Sequence, residues 1–360
     1  MQSTHRFFHK NSLGVIVTQD ECPTYGPNIF RQAEMVGGTF TKITKGLPKD
    51  SVANFSPSII KARNKTLIAW RSQPEPFVFK HDGGYAYNND APTEIYVGEL
   101  RNDKEIINAT KIRTKPHRLS YEDPRLFLGP DQELYIQFIG STYATRWQKD
   151  NKKLFDQPKV IVCWLNENLE AVSPAIPPIR DNLTIGKPEK NWCFFPYDSE
   201  LRCLYSTRPL VIEREKGEAI QVNTDCLEAA VQGCPAYNSL PPLELPNGKH
   251  LIIYHWKHMA KALNGLTFLI YHLGAYTVDR DFHKVIDMTT EPILTGSLHD
   301  RLIKWTDVTG NPVSYQPACI LPFGAYIENR NLVMSLGVND AFMGIFKCPL
   351  ETILARLVPV

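Results

Sequence analysis

Two neighbouring carboxyl groups lie beside an arginine in the string Ser120-Tyr121-Glu122-Asp123-Pro124-Arg125. A general acid must still hold its proton near neutral pH, and burial close to a second acid raises the pKa of a carboxyl towards that range. The pair Glu122 and Asp123 therefore indicates acid chemistry. A purely structural role is the alternative, in which Asp123 caps a turn before Pro124 and pairs with Arg125.

Basic and amide side chains that suit an anionic ligand occur farther along the chain. Phosphate is bound by cationic side chains and amide donors, which meet its charge and its acceptor oxygens. The candidates for phosphate binding are Lys190, Asn191, Arg208 and His255. Together they predict a site for inorganic phosphate or a sugar phosphate.

Aromatic side chains beside these clusters are suited to carbohydrate. A sugar presents apolar faces to aromatic rings and hydroxyl groups to paired polar side chains. The candidates are Trp70, Tyr121, Trp192, Tyr254 and Trp256. Core packing between sheets is the alternative for each of them, because repeated β-sheets bury such rings as well.

Five hairpins must position these clusters. Each consists of an apolar run, a turn rich in Gly, Pro, Asn or Asp, and a second apolar run, which is the pattern of paired strands. The turns lie near Arg63-Asn64, Gly129-Pro130-Asp131, Tyr197-Asp198-Ser199, Pro246-Asn247-Gly248 and Glu328-Asn329-Arg330. Polar groups follow the second strand at Trp70-Arg71-Ser72, Gly140-Ser141-Thr142, Ser206-Thr207-Arg208, Tyr254-His255-Trp256 and Val338-Asn339-Asp340. Five similar ends predict an all-β fold, a five-bladed β-propeller with its chemistry around one pocket.

Length and composition agree with a single propeller domain over residues 1–360, with blades at roughly 50–348. The chain has 43% hydrophobic residues, 27 Pro and 21 Gly, which suits an all-β protein rich in turns better than a helical bundle. Helical spacing of apolar side chains occurs at 349–357, where Pro349 suits a first turn. We therefore expect a short C-terminal helix that closes the domain.

Charge and targeting signals exclude several classes of partner. Forty basic residues against 38 acidic residues give a net charge of +2 without a long block of one sign, so neither nucleic acid nor a membrane is an expected partner. The amino terminus lacks the apolar core of a signal peptide, and no stretch approaches the length of a membrane span, so the expected location is cytoplasmic. Eight cysteines contain no Cys-x-x-Cys pair, and the acidic residues do not follow a metal-loop spacing. We expect no metal site and no organic cofactor.

Several strings, taken in order, resemble the β-mannoside phosphorylases of glycoside hydrolase family 130 and the related mannosyltransferase-phosphorylases of some protozoa. They are Glu122-Asp123-Pro124-Arg125, Lys190-Asn191-Trp192 with Phe195-Pro196, Tyr254-His255, and Gly337-Val338-Asn339-Asp340 with Gly344. The resemblance runs from about Asn54 to about Leu354 and implies a five-bladed propeller. It places the only catalytic carboxylate at Asp123, which passes its proton through the mannose 3-hydroxyl to the glycosidic oxygen. Phosphate attacks the opposite face, and the anomeric carbon is inverted.

The same resemblance assigns the remaining site residues. Arg71 and Asp340 stand among the residues that hold the mannosyl unit, with an ion pair between blades as the alternative. Ser56 stands where the family often has a pocket asparagine. The full substrate-binding set is Ser56, Arg71, Tyr121, Glu122, Arg125, Trp192, Tyr254 and Asp340. In the phosphate set, Lys190 stands where many members have arginine, which keeps the charge but loses a bidentate fork.

Two departures from the family pattern leave the cosubstrate open. Ala230 stands where the family has a phosphate-binding lysine, and Leu269 is the counterpart of a phosphate-contacting tyrosine. Positive charge from Lys257, His258 and Lys261 can replace them. The favoured interpretation is transfer of mannose, with mannose 1-phosphate or a nucleotide-activated mannose as donor or product and a β-1,2 oligomannoside as the partner substrate. A homo-oligomer is also compatible with the family.

Two other functions compete with transfer. An inverting hydrolase replaces phosphate with water and needs a second carboxylate as base, about 6.5–9.5 Å from the acid. Asp340, Asp225 and Glu228 are the candidates for that base. A non-catalytic carbohydrate-binding propeller is the third interpretation, and it predicts loss of Asp123 or its neighbours, which are present.

Overall fold

Strands dominate the computed structural model of the chain, which describes residues 7–10, 16–19, 27–73, 78–79, 85–86, 93–113, 119–142, 159–175, 191–214, 218–262, 267–297 and 315–360. The strands of the amino-terminal half are β1 (Phe7–Lys10), β2 (Ile16–Gln19), β3 (Thr39–Lys42), β4 (Ala53–Ala62), β5 (Lys65–Gln73), β6 (Val78–Phe79), β7 (Tyr85–Ala86), β8 (Glu94–Arg101), β9 (Glu105–Lys111), β10 (Leu119–Leu128), β11 (Leu134–Thr142), β12 (Lys159–Leu165) and β13 (Ala171–Ala175). The remaining strands are β14 (Cys193–Tyr197), β15 (Glu200–Thr207), β16 (Leu210–Arg214), β17 (Ala219–Val222), β18 (Ala236–Asn238), β19 (Leu243–Glu244), β20 (His250–Ala262), β21 (Thr267–Val278), β22 (Val285–Thr289), β23 (Leu294–Thr295), β24 (Tyr315–Ala318), β25 (Ile320–Glu328), β26 (Asn331–Val338), β27 (Phe342–Pro349) and β28 (Leu357–Pro359).

Helices are few and short. They are α1 (Ile29–Met35), a 3-10 turn at Asp225–Leu227, α2 (Glu228–Val231) and α3 (Leu350–Leu354). The segment predicted to be helical at 349–357 thus contains α3, but Leu357 begins strand β28 instead of continuing the helix. Pairing of β28 with β22 accounts for the early end of the helix. Within the described part of the chain, every helix is too short to cross a bilayer.

Four four-stranded antiparallel sheets form a propeller-like ring. Their strand orders are β4-β5-β8-β9, β10-β11-β12-β13, β14-β15-β16-β17 and β25-β26-β27-β3. In two of these sheets the four strands are consecutive along the chain, whereas in the sheet β4-β5-β8-β9 the strands β6 and β7 intervene and pair with each other. In the last, β3 from the amino-terminal half pairs with β27 from the carboxyl-terminal end, with Phe40 opposite Phe346. An early and a late segment of the chain therefore pair within one sheet.

The fourth predicted hairpin lies in a larger sheet of ten strands. Its main path is β2-β1-β20-β21-β22-β28, and β18, β19, β23 and β24 pair along β20 or β21. The long strands β20 and β21 pair from His250 opposite Val278 to Lys261 opposite Thr267. β20 and β21 have 13 and 12 residues and are longer than the strands of the four-stranded sheets, and the additional strands pair along them.

Apolar side chains fill the space between successive sheets. Pairs within shared clusters include Leu67 with Phe138, Phe127 with Phe194, Leu204 with Ile252, Leu273 with Leu336, and Ile68 with Ile345. Each side chain of this size contributes about 1.5–3 kcal/mol when fully buried. Packing between sheets therefore holds the ring together, and it leaves the first strands of neighbouring sheets in contact near the centre.

The predicted hairpin turns are confirmed at three two-residue connections. Arg63-Asn64 has φ values of 52° and 57°, Asp198-Ser199 has 50° and 61°, and Asn329-Arg330 has 49° and 62°. Two consecutive left-handed residues form the turn whose twist matches that of paired strands. Asn and Asp tolerate this conformation better than most residues, which is why their positions in the sequence marked the turns.

Candidate active site

Matching bulges in the first strands of two sheets bring Ser56 and Asp123 together. The register of β4 with β5 shifts between Phe55 and Ser58, and that of β10 with β11 shifts between Glu122 and Arg125. Each bulge contains a left-handed residue followed by proline, namely Ser56 with φ 50° and Asp123 with φ 52°. The hydroxyl of Ser56 donates to Oδ1 of Asp123 at 3.5 Å.

Such a conformation is unfavourable for residues other than glycine and costs on the order of 1–3 kcal/mol. Bulges of this kind redirect a side chain and are common beside active sites. Both bulges have a polar residue directly before proline, Ser56-Pro57 and Asp123-Pro124. This shared pattern is the signal in the sequence that could have revealed that the two bulges correspond. The bulge in β10 and the hydrogen bond from Ser56 in the corresponding bulge of β4 therefore position the Asp123 carboxyl.

A buried ion pair lies beside these bulges. Nη2 of Arg71 is 3.8 Å from Oε1 of Glu122, and the two side chains are only 7% and 9% exposed. The Arg71 guanidinium also lies 5.0 Å from the centre of the Phe55 ring. Removing one partner of a buried pair leaves an uncompensated charge, so these two residues depend on each other. The pairing joins β5 to the first strand of the next sheet.

Asp340 lies in the turn between β26 and β27, and its carboxyl interacts electrostatically with Arg71, Glu122 and Asp123. Asn339 and Asp340 both adopt left-handed conformations, with φ 52° and 49°. The Asn339 side chain fixes this turn, because its Oδ1 accepts from the Cys319 amide at 2.7 Å and its Nδ2 donates to the Ser297 carbonyl at 2.9 Å. Asn339 was part of a recognised string, but its positioning role was not predicted from the sequence.

Burial raises the pKa of Asp340 to about 6. Arg71 lowers this pKa, whereas the carboxyl groups of Asp123 and Glu122 raise it. Four of the predicted charged residues therefore act on one another within a single site. The raised pKa means that Asp340 exchanges its proton close to neutral pH, which is unusual for an aspartate.

Arg125 supports the bulge of Asp123 and lies beneath the protein surface. It is 2% exposed, its Nη1 donates to the Asp123 carbonyl at 3.4 Å, and its Nε donates to the Ser239 carbonyl at 3.4 Å. Its guanidinium also lies 4.9 Å from the centre of the Phe323 ring. These contacts place Arg125 as a positioning residue that connects three elements, in addition to the substrate role predicted for it.

His255 is buried between two aromatic rings. Its ring stacks on Tyr237 at 5.4 Å and on Tyr271 at 6.0 Å, and Nδ1 hydrogen-bonds to the hydroxyl of Ser239 at 2.8 Å. Burial lowers the pKa of His255 to about 3, with further lowering by Lys257 and Arg125. The imidazole is therefore neutral at physiological pH. It can donate or accept a hydrogen bond, but it brings no positive charge to a phosphate.

The other predicted phosphate residues are Arg208 and Asn191, which the structure describes, and Lys190, which it does not. Arg208 forms an ion pair with Glu228, and it lines a cleft of about 690 Å³ together with Asn223 and Asp225. Among the described residues, no hydrogen bond or ion pair joins Arg208 to Asp123. Asn191 is left-handed, with φ 64°, just before β14. Lys190 lies outside the described residues.

The aromatic residues predicted to bind sugar occupy positions in the cores between sheets. Tyr121 contacts Phe138 edge-on at 5.1 Å, Trp192 is 4% exposed, and Tyr254 is fully buried and stacks on Trp256. Core packing was the alternative for each of them. Their role in binding sugar stays a prediction.

The positions that depart from the family pattern are also structural. Ala230 is 7% exposed and packs into the cluster between β14–β17 and the ten-stranded sheet. Leu269 lies in β21, opposite Met259. Neither side chain carries a hydrogen-bonding group, so any anion contact must come from other residues.

Solved structures with a similar fold include carbohydrate-active enzymes. A β-1,2-mannobiose phosphorylase from Listeria innocua has a TM-score of 0.53 and 15% identity, with 87% of this chain and 94% of that chain covered. A mannose phosphorylase from Leishmania mexicana, solved with a phosphate ion, has 0.52 and 12%, with 92% and 95% covered. A GDP-mannose-dependent mannosyltransferase from the same organism has 0.53 and 12%, with 86% and 89% covered.

Glycoside hydrolase family 130 is also represented among the neighbours. No protein-family model and no curated protein sequence matches the chain. The predicted resemblance to these enzymes is therefore confirmed in three dimensions, and at such low identity the likeness establishes the fold.

Proposed function

We propose that this protein is an inverting enzyme that transfers mannosyl units to or from β-mannosides, with Asp123 as the general acid. The observation that carries this proposal is the cluster of Ser56, Arg71, Asp123 and Asp340 within a fold similar to that of mannoside phosphorylases. The cluster supplies a positioned acid for protonation of the glycosidic oxygen, together with a cation and a second carboxyl that can bind sugar hydroxyls.

In the proposed reaction, Asp123 gives its proton through the mannose 3-hydroxyl to the glycosidic oxygen. The bond from that oxygen to the anomeric carbon breaks, while a phosphate oxygen forms a bond to the opposite face. The products are mannose 1-phosphate and the shortened acceptor, and the carboxylate regains a proton before the next cycle. Ser56 orients the acid through its hydrogen bond, and Arg71 with Asp340 binds sugar hydroxyls. The steps require neither a metal nor an organic cofactor.

Two of the structurally similar enzymes support the choice of cosubstrates proposed for this protein. One is a phosphorylase with a bound phosphate ion and another uses GDP-mannose. We infer that mannose 1-phosphate or a nucleotide-activated mannose is the donor in synthesis. Inorganic phosphate is the cosubstrate of the reverse reaction that forms mannose 1-phosphate, whereas the reverse reaction that forms the nucleotide-activated mannose consumes a nucleoside diphosphate. A β-1,2 oligomannoside is the proposed acceptor, in line with the neighbour that cleaves β-1,2-mannobiose.

The architecture proposed for this function is one domain of five blades. The ten-stranded sheet shares one apolar cluster with β14–β17 and another with the sheet of β25–β27. These shared clusters support a position between those two blades. We propose it as the fifth blade, with α3 covering the end of the last one.

Hydrolysis is the second candidate, and it is favoured by the charge interaction between Asp340 and Asp123. A hydrolase needs a second carboxylate that activates water. Of the three candidates for that base, Asp340 shares an environment with the acid, whereas Glu228 is exposed and paired with Arg208. A ligand-binding protein without catalysis is the remaining alternative.

The deciding experiment incubates the purified protein with mannose 1-phosphate and mannose or a short β-mannoside, followed by chromatography and a phosphate assay. Phosphate release with chain growth supports reversible phosphorolysis. Growth only with GDP-mannose supports a dedicated transferase, and cleavage of a mannoside in phosphate-free buffer supports a hydrolase. Asp123→Asn should reduce turnover by roughly 10²–10⁴-fold in any of these reactions. Near-normal turnover of a folded Asp123→Asn protein refutes its assignment as the acid.

A further inference from the structure

We propose that Lys257 supplies positive charge to the phosphoryl group of the donor or cosubstrate. This inference rests on the proposed function, because it identifies how the same site recognises an anion. Lys257 belongs to β20, two residues after His255. Alternate residues of a strand face the same side, so Lys257 and His255 share one face of the sheet.

The need for such a cation follows from the state of the predicted phosphate residues. His255 is neutral because burial lowers its pKa to about 3. Arg208 is engaged by the carboxylate of Glu228, and Asn191 carries no charge. Of the three predicted phosphate residues that the structure describes, His255 and Asn191 can therefore offer a phosphoryl dianion hydrogen bonds only, and the charge of Arg208 is shared with Glu228. Binding of a dianion without a cation is strongly unfavourable in a site shielded from water.

The position of the Lys257 ammonium is fixed by two aromatic rings. Its Nζ lies 5.6 Å from the centre of the Tyr237 ring and 5.7 Å from that of Tyr271. These are the same rings that flank His255. An ammonium attracted to two ring faces loses less side-chain freedom when it binds an anion. The arrangement thus presents one cation and one neutral imidazole side by side.

Lys257 and the carboxyl groups of the proposed catalytic centre interact electrostatically with the same residue, Cys319. This thiol is 3% exposed, and the amide of the same residue binds the Asn339 side chain next to Asp340. Burial raises the pKa of Cys319, the charges of Asp340 and Asp123 raise it, and Lys257 lowers it. The ammonium and the two carboxyl groups therefore act on the same buried thiol.

This distribution of charge matches a sugar phosphate. Its mannosyl hydroxyls suit the carboxyl and guanidinium groups around Asp123, and its phosphoryl oxygens suit the ammonium of Lys257 with a hydrogen bond from His255. The ammonium is a compact point charge that takes up phosphate oxygens without a fixed fork geometry. Lys257 accordingly compensates for the apolar side chains of Ala230 and Leu269.

The test compares binding of inorganic phosphate and mannose 1-phosphate to the wild-type chain, Lys257→Met and Lys257→Arg by titration calorimetry. Losing a charge-assisted hydrogen bond should raise the Kd of both anions by about 10- to 100-fold in Lys257→Met. Lys257→Arg keeps the charge and should recover most of the affinity. Lys284→Met is the matched control, since Lys284 is an exposed lysine in the turn between β21 and β22.

The outcomes separate this inference from the proposed function. Unchanged anion affinity in Lys257→Met, with active wild-type enzyme, overturns the role of Lys257 and leaves mannosyl transfer intact. Weaker anion binding in Lys257→Met supports that role even when the wild-type protein does not elongate mannosides, a result that would count against transfer. No binding of either anion by the wild-type chain overturns the inference. A thermal melt of each variant verifies folding, and if Lys257→Met does not fold, equal anion affinity of Lys257→Gln and wild type overturns the role.

Discussion

Replacing Asp340 with asparagine should change the pH dependence of stability in a direction fixed by its surroundings. Burial raises the pKa of this carboxyl from 3.8 to about 6. An acid whose pKa is higher in the folded protein binds its proton more tightly there than in the unfolded chain. It therefore stabilises the fold at low pH, and that contribution is lost as the pH rises from the unfolded value through about 6.

The magnitude follows from the size of the shift. Each pKa unit corresponds to about 1.4 kcal/mol, so a shift of about two units is worth at most about 3 kcal/mol, and about 2 kcal/mol of this falls between about pH 4 and pH 8. Asparagine cannot titrate. The difference in unfolding free energy between Asp340→Asn and wild type should therefore become more favourable to the variant by about 2 kcal/mol over that interval.

Urea unfolding of both proteins at several pH values measures this difference. Contacts of the Asp340 side chain that do not depend on its charge contribute equally at each pH and cancel in the comparison, whereas the charge interaction with Arg71 is already included in the pKa of about 6. Asp50→Asn, at an exposed position, is the control. A constant difference between Asp340→Asn and wild type across the whole range would refute the reasoning, because it would mean that Asp340 titrates alike in the folded and unfolded chain.

Three further predictions concern the groups that hold the site. Gly337→Ala should lower both stability and turnover, since an added Cβ would lie 2.8 Å from the amide nitrogen of Ser56, which belongs to the bulge in β4. Thermal unfolding and steady-state kinetics measure the two effects, and an unchanged kcat would contradict a link between this bulge and turnover. Arg125→Lys loses the fork that reaches two carbonyl groups, and we expect a loss of about 1–3 kcal/mol in unfolding free energy together with a lower kcat at unchanged KM. Glu122→Gln should cost about 3–5 kcal/mol by breaking the buried ion pair with Arg71, and the double variant Glu122→Gln with Arg71→Met should recover part of that loss in urea unfolding.

Local patterns in the sequence were sufficient to predict strands and turns. The alternation of apolar residues and the Asn and Asp residues at Arg63-Asn64, Asp198-Ser199 and Asn329-Arg330 act over a few residues, so the paired strands could be read directly. The pairing of β3 with β27 could not be predicted in this way. It joins residues about three hundred positions apart, and nothing in the short segment Thr39–Lys42 specifies its partner.

The sequence by itself determined which kinds of chemical group are available: an aspartate before proline, arginines after apolar strands, and a histidine beside a lysine. The tertiary structure decided what state those groups are in. It made His255 neutral by burial, enclosed Arg125 beneath Asp123 and raised the pKa of Asp340. The physical reason is that identity is a local property, whereas desolvation and the field of neighbouring charges depend on residues that come together only when distant sheets pack.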